Sequence, residues 1–368
     1  MRRSMISLVA AATLLPAAAL LPGTAQADGE LNFYNWSDYI GETTLADFTA
    51  RTGTKVNYDV YDSNDVLEAK LLAGSSGYDL VVPTAMPTLG RLIKAGAVQK
   101  LDKSKIPNLA NLDPVLMDRV RSIDPDLEYG AIWQWGTNGI GINVKKVRER
   151  LGDVPLDTFD LLFDPETVAK LADCGVTLVD SAEEVLPLVI NYLGGDQAAE
   201  DPEWLKRAED HLLKLRSYYR YFHSSRYIND LATGETCVAA GFSGDIFIAA
   251  ARAAESGNGV EIEYKIPREG TFIWFDMMAI PAGAPNIDAA HAFINFALEP
   301  ENIAGVTNYV WYANAVPASL PMVDEEVRTN PSIFPNDEVK GKLFAAVLKS
   351  PRFTRAMNRS WTKVRTGE

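Results

Sequence analysis

The order LNFYNW (31–36), ETTLADFTARTG (42–53), KVNYDVYD (55–62), SNDVLEAKLLAG (63–74) and YDLVVPT (78–84) decides the fold class. Short runs rich in aromatic and branched residues predict strands, and the stretches between them predict helices. Gly53 is placed to stop the first helix, Ser63 or Asn64 to cap the second, and Gly74 to end it. With a further helix expected in MPTLGRLIKAG (86–96), the first hundred residues read as a βαβαβ unit around a mostly parallel sheet. A second α/β run spans about 136–256, with strands at GVTLVD (175–180) and CVAAGFSG (237–244) and helices at 182–195, 202–216 and 246–259. Two more strand segments, 259–270 and 271–283, precede a helical tail that begins at 288. Roughly 340 residues of such pattern, without a visible repeat, exceed what one core usually holds and predict two lobes.

The chain starts with Arg2 and Arg3, an apolar run from about Met5 to Leu21, and the small-x-small triplet Ala25, Gln26, Ala27. That is the pattern of a cleaved export signal covering 1–27, with the mature chain starting near Asp28. Pro16 and Pro22 interrupt a run already short for a membrane span, and no Cys follows it to carry a lipid. Export suits the two cysteines, Cys174 and Cys237, which an oxidising compartment would allow to pair. The formal charge of −14 over 368 residues becomes −16 without Arg2 and Arg3, which disfavours nucleic acid or anionic membrane as a partner and suits a cation.

Open α/β sheets bind ligands beyond the C-terminal ends of their strands, and two lobes turn that region into a cleft. The strand ends of this chain share one theme, a carboxylate beside an aromatic ring. The first runs into Trp36, Ser37, Asp38 and Tyr39, and the third into Pro83 and Thr84. In the second half GVTLVD leads to Ser181, Glu183 and Glu184, and CVAAGF leads to Ser243, Gly244 and Asp245. TFIWFD carries Trp274, Phe275 and Asp276, and YVWYANAV adds Trp311 and Tyr312. An alkyl ammonium or polyamine asks for anionic oxygens at its nitrogens and aromatic walls along its methylenes. An amino-acid ligand would need an arginine for its carboxylate, and none stands at these strand ends.

Each residue also has a plain structural reading. Ser37 or Asp38 can cap a helix, Glu183 and Glu184 suit a helix's first turn, Asp245 can cap the helix after it, and the aromatic residues can be core. Recurrence at strand ends favours the binding site. GFSGD (241–245) resembles a hydrolase elbow, but Asp245 stands where that turn needs its last Gly. His223 is a candidate general base that a structural role explains as well, while His211 and His291 fall in helical stretches. No His, Cys and carboxylate spacing matches a metal set; clustered Tyr with acids leaves ferric iron as a minor alternative.

Several blocks carry a family resemblance: YNWSDYI (34–40), YDVYDSNDVLEAKLLAGSSGYDLVVPT (58–84), LDKSKIPNLANLDP (101–114), RYFHSSRYINDLATGETCVAAGFSGD (220–245) and WTKVRTGE (361–368). They resemble the periplasmic putrescine- and spermidine-binding proteins of polyamine ABC transporters, over essentially the whole mature chain. The resemblance implies a type II two-lobed binding-protein fold that closes on its ligand and hands polyamine to a membrane permease driven by a cytoplasmic ATPase. A monomer without cofactor or catalysis is expected, with lobe 1 at 28–135 and 257–312 and lobe 2 at 136–256 and 313–368. Carried over residue by residue, the implied ligand contacts are Trp36, Ser37, Asp38, Tyr39, Thr84, Glu184, Phe242, Asp245, Trp274, Asp276 and Tyr312, with Glu183 competing for the place of Glu184. Cys174 and Cys237 resemble the family's paired cysteines. Phe242 stands where a Trp is usual, Thr84 where a Ser is usual, and Met86 at a small polar position. Trp274 matches spermidine binders more than putrescine binders, so spermidine is expected first, putrescine next, and agmatine or cadaverine as alternatives.

Overall fold

The computed structural model describes residues 29–367, so the signal segment expected at 1–27 lies outside the described residues. The strands are β1 (Glu30–Trp36), β2 (Lys55–Tyr61), β3 (Leu80–Val81), β4 (Val98–Gln99), β5 (Ala131–Asn143), β6 (Val176–Leu178), β7 (Tyr219–Phe222), β8 (Val238–Phe242), β9 (Ile262–Lys265), β10 (Ile273–Met278) and β11 (Ile280–Pro281). The first unit forms as its local chemistry predicts. Helix Thr44–Thr52 ends at Gly53, whose φ of 73° is the left-handed stop that glycine adopts cheaply. The Ser63 hydroxyl caps helix Asn64–Leu72 by accepting from the Val66 N–H at 3.4 Å. Both crossovers return to a parallel sheet ordered β2-β1-β3, in which Trp36 lies opposite Tyr61.

The larger sheet is mixed. β6 runs parallel to β7 and β8, whereas β8, β9 and β10 all run antiparallel to β5. β5 organises it: 13 residues long, buried throughout, and absent from the elements expected above. Buried on both sides, it has no polar alternation, and Gly136, Gly139 and Gly141 dilute its strand propensity.

Two hydrophobic cores share this strand. Ala131, Ile132, Trp133 and Trp135 pack into a core built around β1, β3 and β10, while Ile140 and Ile142 pack into a second core with β6 and β8. Ile262, Tyr264 and Phe272 belong to the second core, because β9 pairs with the far half of β5. Ala313, Ala315, Val316, Val323, Val327 and Ile333 belong to the first, since the backbone of Ala313 bridges Trp135. The segments 257–312 and 313–368 therefore each contribute residues to both cores. The closing helix Pro351–Thr366 buries Phe353, Met357, Trp361 and Val364 in the second core. Cys174 and Cys237 form a disulfide at a Cα separation of 5.5 Å, tying the lead-in of β6 to that of β8.

Candidate functional site

The ends of β1 and β2 open a cleft between the two cores. Asn35 shapes its first wall: the buried amide accepts from the Trp36 N–H and donates to the Tyr39 carbonyl, both at 2.8 Å, closing the turn that aims Trp36, Ser37 and Tyr39 inward. Trp36 donates its indole N–H to the Val82 carbonyl at 2.8 Å and packs on Tyr61, 4.7 Å away between ring centres. Ser37 caps no helix; its hydroxyl donates to the Tyr61 carbonyl at 3.3 Å. Tyr39 packs edge-on against Tyr312 at 5.2 Å.

Ten of the eleven expected contacts line this cleft. Asp38 does not: its backbone turns left-handed, at φ 53°, and its carboxylate accepts from Arg252 at 2.7 Å on the outside. Glu183 and Glu184, adjacent on helix Ala182–Tyr192, diverge around the helix axis. Glu183 pairs with Arg91 at 2.7 Å, and Glu184 enters the cleft. Asp245 is no cap. It sits in the first turn of helix Ser243–Ser256, clamped by the Tyr227 hydroxyl at 2.7 Å and the Tyr312 hydroxyl at 2.8 Å. Asp276 comes from inside β10 rather than from a strand end, beside a register shift that interrupts the ladder after it. It accepts from the Thr84 hydroxyl at 2.7 Å, and the buried Tyr39 ring faces it without a formed hydrogen bond. Phe242, Trp274 and Tyr312 supply the remaining aromatic wall, Trp274 meeting Phe242 at 6.1 Å and Tyr312 at 5.2 Å. Trp311 stays outside the cleft, packed on Phe247.

Among the cleft-lining residues stand four carboxylates, Asp62, Glu184, Asp245 and Asp276, and not one basic side chain. Burial pushes Asp276 up to about 7 against the lowering pull of the Thr84 hydroxyl, and Asp245 up to about 7 against Tyr227 and Tyr312. Burial also raises Glu184 to about 7, with Asn138 and Ser181 opposing it. Neutral donors can orient these acids but cannot neutralise them, so the cleft is built for a cation.

Residues 43–335 match the model of the bacterial extracellular solute-binding proteins. The chain belongs to this family. It is 50% identical to the putrescine-binding periplasmic protein SpuD of Pseudomonas aeruginosa over 94% of its own length and 95% of the relative's. It is 48% identical to the putrescine-binding periplasmic protein PotF of Escherichia coli, with 94% of each chain covered. A solved structure described as a putative spermidine/putrescine ABC transporter from Listeria monocytogenes superposes with a TM-score of 0.81 at 32% identity, covering 92% of this chain and 99% of that one.

The sequence reading of this solute-binding protein missed Tyr61, Asp62, Ser224 and Ser225, which also line the cleft. Tyr61 ends β2 and Asp62 follows it, so the strand-end rule applied to the second strand would have found them. Ser224 and Ser225 follow β7, a four-residue strand not expected from the sequence. Tyr227 lies behind Asp245, and only its tertiary contact reveals it. His223 holds a turn: its ring accepts from the Ser225 and Arg226 N–H groups, and its other nitrogen is 4.0 Å from Asp62. His211 and His291 bond to backbone, at Phe163 and at Asp102 and Ile287 respectively.

Proposed function

We propose that the protein is the periplasmic polyamine-binding component of an ABC importer, closing on its ligand and passing it to the permease without catalysis. One observation carries the reading: four carboxylates and a ring of aromatic side chains share a cleft without a basic residue among its lining. Asp276 from one lobe and Asp245 from the other hold ammonium groups, Glu184 completes the charge matching from the lobe of Asp245, and Trp36, Phe242, Trp274 and Tyr312 flank the methylenes. Each cation–π contact adds about 0.5–2 kcal/mol depending on desolvation. Asp38 drops out of the contact set, because its carboxylate is spent on Arg252.

The lobes divide where the cores do. Lobe 1 takes residues up to Trp135 and the segment from Ile273 to Ile333; lobe 2 takes Ile140 to Phe272 and the closing helix. Closure is a hinge motion at the strands that pass between the cores, and the protein acts as a monomer. The relatives near half identity are putrescine-binding by name, and a likeness spread over the whole chain outweighs the single residue Trp274. Putrescine is therefore expected to bind tightest, ahead of spermidine, cadaverine and agmatine.

Calorimetric titration of ligand-stripped mature protein with these four amines tests the assignment. Saturable single-site binding led by putrescine supports it, and a spermidine lead would return selectivity to Trp274. Heat from none of the four would leave the fold standing and remove the ligand class.

A further inference from the structure

We propose that Gly136, on the strand joining the two lobes, is a positioning residue that sets the width of the ligand slot by seating Trp274. The inference rests on the polyamine reading above and deepens it.

Gly136 and Trp274 are direct partners in the antiparallel ladder between β5 and β10. A Cβ built on Gly136 would fall 2.7 Å from Cζ2 and 3.0 Å from Cη2 of Trp274, and 2.9 Å from the Ser243 Oγ. The indole therefore lies across the space that any other residue's side chain would fill. Backbone conformation does not demand glycine here, since Gly136 is not among the glycines with positive φ. Close approach alone does.

No side-chain hydrogen bond pins the indole. Its buried Nε1 has no hydrogen-bond partner, in contrast to Trp36, whose N–H is tied to Val82. Trp274 is held by shape, between the bare backbone of Gly136 and the rings of Phe242 and Tyr312. A methyl group at 136 pushes against the six-membered edge of the indole and moves the ring from its seat. Ser243 can yield by rotating its hydroxyl; the fused ring system of Trp274 cannot bend. Phe at 274 lacks Cζ2 and Cη2 and would leave room for the methyl.

The test is a double-mutant cycle with calorimetric titration of putrescine and spermidine on wild type, Gly136→Ala, Trp274→Phe and the double variant. Gly136→Ala is expected to weaken the preferred amine by about tenfold or more and to change the ratio of the two affinities. In the Trp274→Phe background the same change is expected to cost less than about threefold. Ligand-free melting temperatures are measured alongside, because a merely structural glycine would lower them without moving the affinity ratio. Equal losses in both backgrounds, or no loss at all, would overturn the inference. If Gly136→Ala alone does not fold, the double variant decides: folding and binding like Trp274→Phe supports the seat, and failure to fold overturns it. Wild-type protein that bound neither amine would instead overturn the proposed function, and this inference with it.

Discussion

At the scale of single residues, three buried carboxyls dominate the chemistry. Asp276 is buried beside Thr84 and Tyr39, with every fixed neighbour neutral or acidic. Replacing it with Asn removes the ligand's counter-charge but keeps a similar shape. Asp276→Asn is expected to cost about 2–5 kcal/mol of polyamine binding while the ligand-free fold persists; unchanged affinity in a calorimetric titration would remove Asp276 from the site. Glu184, Asp245 and Asp276 are each pushed up to about 7 by burial, whereas in the unfolded chain such groups titrate near ~4. Between those values the ligand-free folded state holds more protons than the unfolded one, so the contribution of these groups to stability falls as pH rises from about 4 to about 7. A dication needs them ionised. Binding near pH ~6 is therefore expected to release protons, and affinity to rise from about pH 5.5 to 8. Titrations in two buffers of different ionisation heat read the release directly; identical heats in both would contradict the buried-carboxyl account. Sequence reasoning singled out Asp245 and Asp276 from their aromatic neighbours, but it could not separate Glu183 from Glu184. That choice depends on Arg91, which stands 92 positions away and takes Glu183.

At the scale of elements, the local code was legible where caps, glycine stops and periodicity act within a few residues. Ser63 and Gly53 do what their chemistry predicts. β5 escaped, because a strand buried on both faces has no polar alternation and its glycines look like breakers until the rings packed over them are known. Gly139 shows the same logic as Gly136: a Cβ there would meet the Tyr264 hydroxyl at 2.4 Å and the ring at 2.5 Å. The disulfide is a further element-scale tie, joining two strand entries 63 positions apart. Replacing both cysteines with Ala is expected to lower stability by about 2–4 kcal/mol through the freer unfolded chain. Chemical denaturation of the variant measures this, and a loss below about 1 kcal/mol would place the pair outside the stabilising set.

At the scale of the whole molecule, two ion pairs and one longer contact cross between the lobes beside the cleft: Arg91 with Glu183, Arg252 with Asp38, and the His223 ring 4.0 Å from Asp62. All join elements packed on different cores, so each exists only when the lobes are together. Arg252 and Asp38 are partly exposed, at 36% and 41%, which limits their worth to about 1 kcal/mol or less. Arg252→Gln is expected to speed ligand release by up to about fivefold with little change in the ligand-free melting temperature. Stopped-flow displacement reads the rate, and an unchanged rate would mean that this pair does not hold the cleft shut.

The sequence by itself determined the fold class and pointed to most of the residues that line the cleft, because strand ends, caps and carboxylate–aromatic neighbours are encoded locally. Tertiary structure alone decided which of two adjacent glutamates enters the cleft, that Asp38 is spent on Arg252, that Tyr227 braces Asp245, and that β5 runs through both cores. Each of those outcomes depends on partners far away in the chain, and contact across such a distance is set by packing rather than by any local pattern.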